Sequence, residues 1–156
     1  MRLAMLALAA ASLTGCGSEP KPAAPAAAKE LVVQKPADES RHFPLADRTG
    51  TEVVDNHLLG KSFMPGGTLA HYRHGKTEYT MFVAKLGTAQ DAAFLLLDWN
   101  KTLAGSTLVP SFGGYFGQDG GQPVFVFTKN AWIAGVAGLA QKEADAAART
   151  LAAHLD

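Results

Sequence analysis

The apolar run that opens this chain stops too soon to cross a bilayer, and that limits where a fold can begin. Residues 3–13 read LAMLALAAASL behind a single basic residue, Arg2. A membrane-spanning helix needs about 20 apolar residues, whereas a charged start, a short apolar core and small residues ahead of a cut make a secretory signal. Residues 1–15 are therefore read as an export signal that the mature chain loses.

The run ends in Leu13-Thr14-Gly15-Cys16, and Cys16 is the only cysteine of the chain. This tetrapeptide, at the end of a short apolar core, resembles the lipobox of bacterial lipoproteins. The resemblance implies a diacylglyceryl group on the Cys16 sulfur, cleavage between Gly15 and Cys16, and acylation of the new amino group. One acyl chain binds a bilayer only marginally, while two or more hold a protein there stably, so the expected partner is a membrane, reached through lipidated Cys16. Gly17 and Ser18 stand where enterobacterial lipoproteins retained in the inner membrane carry an aspartate, which implies the outer membrane of a bacterial envelope. A lone cysteine offers neither an intrachain disulfide nor a thiolate metal cluster.

Residues 17–41 read GSEPKPAAPAAAKELVVQKPADESR, with prolines at 20, 22, 25 and 36 and no apolar period. Such a stretch favours extended polyproline II over a packed element. Residues 16–41 are thus expected to be the lipidated cysteine and a disordered tether, in which Leu31-Val32-Val33 is either a chance apolar cluster or a short edge strand. Residues 42–156 remain for one globular domain, long enough to bury a core without disulfides. The 14 Lys+Arg balance 14 Asp+Glu to a net charge of zero, which removes the usual argument for nucleic acid as a partner, an excess of basic residues gathered on one face.

Within that domain, residues 68–74 and 77–86 read as strands joined at Gly75-Lys76. In the second, Tyr79, Met81 and Val83 alternate with Thr80, Phe82 and Ala84, so both faces are apolar and the strand belongs inside a sheet. Thr88 and Asp91 form a capping box ahead of Ala92, Leu96, Trp99 and Leu103 at helical spacing, with Gly105 as the stop. Phe94, Leu95 and Leu97 widen the apolar arc, so this helix is either packed on most sides or partly open to a partner. Residues 112–118 and 124–127 flank Asp119-Gly120-Gly121 as a hairpin, and residues 132–139 make a further strand in which Gly135 and Gly138 admit a close neighbour. A last helix carries Ala144, Ala148, Leu151 and Leu155 on one face. The order β-β-α-β-β-β-α predicts an α+β fold: a two-layer arrangement with both helices packed on one face of an antiparallel sheet.

Gly113-Gly114-Tyr115-Phe116-Gly117, the Asp119-Gly120-Gly121 turn, the strand from Pro123, Gly135-Val136-Ala137-Gly138 and Glu143-Ala144-Asp145 follow one another in this order. In this the domain resembles an uncharacterised family of secreted bacterial domains, a resemblance that implies no activity.

No catalytic, cofactor-binding or metal-binding set emerges from the pattern. His71 and His74 are three apart on a strand and so point to opposite faces. His57 follows Asp55-Asn56, where an aspartate and a histidine could meet. Gly60-Lys61-Ser62-Phe63-Met64 lacks the second glycine of a nucleophile elbow, and Ser106 and Ser111 fall in an expected loop. Asp47, Glu52, Asp55, Glu78 and Asp98 could pair through folding as glycosidase carboxylates do. Phe112, Tyr115, Phe116 and Trp132 would make a shallow binding surface for peptide, sugar or another envelope protein if they faced solvent, but as strand aromatics they are expected to serve the core.

The leading expectation is a non-catalytic binding or scaffolding domain on a membrane-anchored envelope lipoprotein, with an envelope protein or a small ligand as partner. One alternative is a small envelope hydrolase whose site joins His57 or His71 to distant carboxylates. The other is an apolar-ligand carrier, which would need an enclosed cavity of roughly 300 Å³ or more between sheet and helices.

Overall fold

The computed structural model describes residues 35–110 and 112–156. The expected export signal, the lipobox-like segment with Cys16, the Leu31-Val32-Val33 cluster and Ser111 lie outside the described residues. Seven strands and two helices follow in order: β1 (Arg48–Asn56), β2 (Pro65–His74), β3 (Thr77–Lys85), α1 (Ala89–Thr102), β4 (Ala104–Val109), β5 (Gly114–Asp119), β6 (Gln122–Lys129), β7 (Trp132–Ala137) and α2 (Gln141–Ala153). The strands form one antiparallel sheet in the order β1-β2-β3-β7-β6-β5-β4, so the fold is α+β as its residue pattern predicts.

The two helices lie on opposite faces of that sheet, which corrects the expectation that both pack on one. Tyr79, Met81 and Val83 of β3, Phe125 and Phe127 of β6, and Ala134 and Val136 of β7 form one core with Ala144, Ala148 and Leu151 of α2. Phe82 and Ala84 of β3, Val124 and Val126 of β6, and Ile133 and Ala137 of β7 form another with Leu96 and Trp99 of α1. The physical reason is the two-sided apolarity of the central strands, since bare Phe82 or bare Phe125 would each leave a large side chain in water. One helix is needed on each side. After β3 the chain runs through α1, packed over β7 and β6, to the far edge at β4, and the β4–β7 meander then fills the centre of the sheet.

Helix α1 starts as expected: the Asp91 N–H donates to Thr88 Oγ1 at 3.1 Å, and the Thr88 hydroxyl donates to Asp91 Oδ2 at 2.8 Å. It ends at Thr102, and Gly105 sits beyond it in β4 at φ 62°, where the β4–β5 register shifts. The β5–β6 hairpin turns on Gly120 and Gly121 at φ 61° and 87°, a two-residue turn with both φ angles positive that side chains beyond glycine adopt only under strain.

β1 and β4 are the strands absent from the expected order. β4 takes up Ser106, which was expected in a loop and whose hydroxyl donates to Asn100 Oδ1. The folded unit also takes in residues 37–41, which the sequence reading assigned to the tether. The Glu39 N–H donates to the buried Thr68 hydroxyl at 3.0 Å, and Arg48 Nη1 donates to the Ser40 carbonyl at 2.9 Å.

Candidate functional site

Residues 94–97 of α1 read Phe-Leu-Leu-Leu. At about 100° per residue four neighbours sweep most of the way round a helix, so they cannot all face one sheet. Ala92, Leu96 and Trp99 take the buried side. Phe94 and Leu97 are left outside, 57% and 46% exposed.

Other elements extend this apolar surface. Phe63, 37% exposed, comes from the loop before β2 and meets Trp99 edge-on at 5.8 Å between ring centres. With Pro65, Leu86, Phe94 and Leu95 it walls a groove of about 480 Å³ rimmed by Asp91 and Asp98. Leu108, 55% exposed, projects from β4 opposite Tyr115, which packs into the α1-side core. Four of the five large exposed apolar side chains among the described residues are thus on the α1 side, with Leu45 as the fifth. A gathering of this kind is the usual mark of a contact surface. The outer side of α2 is different, carrying Lys142, Glu143, Asp145 and Arg149, with Arg149 Nε donating to Asp145 at 3.0 Å.

Beneath α1, Asp119 joins three elements. Its carboxylate accepts the indole N–H of buried Trp99 at 2.8 Å and the ammonium of Lys61. The hollow beside it, lined by Leu59, Lys61, Asp119, Gln122, Val124 and Ala137, measures about 180 Å³. A carrier of apolar ligands needs more room and fewer charges. Sequence spacing offers no sign of this cluster, because its members come from residues 61, 99 and 119.

The five carboxylates singled out in the sequence each face a cationic or titratable nitrogen instead of one another. Asp47 meets His74 Nδ1 at 2.8 Å, Glu52 meets His71 Nε2 at 3.8 Å and Asp55 meets Lys35 at 3.8 Å. Glu78 accepts from Arg73 Nε at 2.8 Å, and Asp98 from Lys101 at 2.7 Å. His57 holds a left-handed conformation at φ 54° ahead of the short turn Leu58–Gly60, and the ion-pair partner of Asp55 is Lys35. His71 and His74 have different carboxylates as partners, and among the described residues no three His, Cys, Asp or Glu side chains gather as metal ligands would. Thr80 Oγ1 lies 3.5 Å from His71 Nδ1, so a hydroxyl, an imidazole and the Glu52 carboxylate line up. His71 and Thr80 line, with Arg73, Glu78, Tyr79 and Gln122, a hollow of about 500 Å³.

A buried histidine was not anticipated. His42 packs edge-on to Trp132 with ring centres 5.2 Å apart, and its Nδ1 contacts the His154 carbonyl at the end of α2. His42 Nε2 lies 3.2 Å from Arg41 Nε and 3.3 Å from Glu39 Oε2, and Arg41 Nη2 lies 3.2 Å from the same carboxylate. Arg41 therefore bridges the imidazole and the carboxylate, and the cluster fastens residues 39–42 to the end of α2. Nearby, Tyr72 and Tyr79 stack at 4.9 Å, and the Tyr72 hydroxyl donates to the Pro44 carbonyl at 2.8 Å. Burial pushes the Tyr72 hydroxyl up to about 12, and burial with the charge of Asp47 raises that of Tyr79.

Phe112, Phe116 and Trp132 pack with the α2-side core and Tyr115 with the α1-side core. Comparison with protein-family models, with curated proteins and with solved structures returns no match for this chain. Among the described residues no helix is long and apolar enough to cross a membrane.

Proposed function

We propose that the chain is a lipoprotein of a bacterial envelope, held to the membrane through acylated Cys16, and that its domain is a non-catalytic binding or scaffolding module. The observation that carries the anchor is Leu13-Thr14-Gly15-Cys16 at the end of an apolar run too short to span, with Cys16 the only thiol. Gly17 and Ser18 favour the outer membrane as its address. Residues between Cys16 and the folded unit then serve as the stalk.

Binding is favoured over catalysis by the exposed apolar side chains Phe63, Phe94, Leu97 and Leu108, together with the pairing of the candidate carboxylates to surface lysine, arginine and histidine side chains. Association draws on apolar area taken out of water, and these side chains supply it. The test is fractionation of cells making the full-length chain. Wild-type protein is expected in the envelope fraction and to need detergent for release, while Cys16→Ala is expected to remain unprocessed and unacylated. Equal behaviour of the two chains would end the reading.

A further inference from the structure

We infer that the α1 surface seats a second copy of this chain, with the two α1 helices antiparallel across a two-fold axis. The inference rests on the reading of that surface as a partner surface and names the partner. Gln90, Phe94, Leu97 and Lys101 recur at intervals of four, three and four, which sets them in one stripe on the helix side away from the sheet. All four are exposed.

Read backwards, the stripe matches itself. In an antiparallel pair Phe94 of one copy lies against Leu97 of the other, and Gln90 against Lys101, twice over by symmetry. A two-fold contact demands a patch that is its own complement, and this spacing meets the demand.

The charges choose the direction. Asp91 sits in the first turn of α1 and Lys101 in its last. Antiparallel helices bring each acidic end level with the other copy's basic end, whereas parallel ones would set acidic end level with acidic end and basic with basic. Opposed helix dipoles favour the same arrangement. Asp98 holds Lys101 at 2.7 Å along the same helix, but both side chains are well exposed, so the ammonium can swing to a carboxylate across the axis at little cost. Phe63, which walls a groove with Phe94 and Leu95, extends the apolar surface on one flank of the stripe.

The test is sedimentation of the full-length chain in density-matched detergent across a range of concentrations, with helical content checked by circular dichroism. Wild type is expected to dimerise reversibly. Leu97→Glu, which sets a charge beside the axis in each copy, and Lys101→Asp, which sets a second carboxylate beside the other copy's Asp91 at each end, should each weaken the dimer at least about tenfold. The double variant Asp91→Lys with Lys101→Asp restores an opposite pair at both ends and should regain most of the affinity. A wild-type chain that stays monomeric up to about 100 µM, well above the Kd range of a specific contact, would overturn the inference. So would a dimer indifferent to Leu97→Glu, or a charge loss that the double variant does not repair. A monomer leaves the anchored-module reading in place, because that is decided by the fate of Cys16.

Discussion

Gly135→Ala probes the centre of the sheet, where β7 passes between β3 and β6. Gly135 pairs with Phe82 on one side and Val126 on the other. A methyl group there would lie 2.2 Å from the Phe125 carbonyl oxygen and 2.5 Å from Cζ of Phe82, well inside van der Waals contact. The Phe82 ring has no room to retreat. It is fully buried and lies against Trp99 at 5.3 Å, and Trp99 is itself pinned by its bond to Asp119. Overpacking of a tight core costs about 1–3 kcal/mol, and a clash with backbone as well as a ring puts this site near the upper end. At roughly 4 °C per kcal/mol for a domain of this size, the Tm of the full-length chain should fall by about 12 °C. Thermal unfolding followed by near-ultraviolet circular dichroism, which senses Trp99, measures it. A Tm within about 1 °C of wild type would refute the packing described for β7. Phe82→Leu should absorb part of the damage, so that the double variant loses less than the two single losses together; strict additivity would show that the ring is not what the methyl meets.

Asp119→Ala strands the buried Trp99 N–H and Lys61 without their acceptor and should cost about 2–3 kcal/mol in urea unfolding, with Asp119→Asn costing less because its amide oxygen can still accept. Thr88→Ala removes the cap of α1 and should cost about 1 kcal/mol, while Thr88→Ser should be nearly silent, both read from denaturation midpoints. Alkali should destabilise the domain between about pH 10 and 12. The folded state holds the Tyr72 proton to about 12 while the unfolded chain releases it near 10, so stability is whole below 10 and is lost as pH climbs to the folded value. After allowance for solvent screening the loss should be about 1–2 kcal/mol, and a flat profile in wild type, or an unchanged slope in Tyr72→Phe, would contradict it.

What could be read from residues alone was whatever repeated at short range. The alternation through Tyr79, Met81 and Val83 marked β3 as central, and the Thr88–Asp91 pair marked the start of α1. Gly135 marked a close approach, although the neighbour is the Phe82 ring rather than a crossing helix. β1 escaped because its sequence RTGTEVVDN has only two apolar residues, adjacent to each other, so an edge strand washed on one side leaves no period to detect. β4 escaped because Ala-Gly-Ser-Thr resembles a loop until β5 pairs with it. Each helix shows a single apolar side, which alone is compatible with one shared face; it is the two-sided apolarity of β3 that requires α1 and α2 on opposite faces. Half of the candidate surface was visible as the wide apolar arc of α1. Phe63 and Leu108 join it only through folding, from 31 residues before Phe94 and 11 after Leu97. The Asp119 and His42 clusters depend on contacts across 20 to 112 residues, which no local pattern encodes.

The account turns on one sulfur, and the intact mass of the mature chain extracted from membranes reads it directly. The account predicts a polypeptide that begins at Cys16 and is heavier than its sequence by a diacylglyceryl group, with a further acyl chain where the amino group is modified. A chain that still carries Met1, or one whose mass equals its bare sequence, would contradict it.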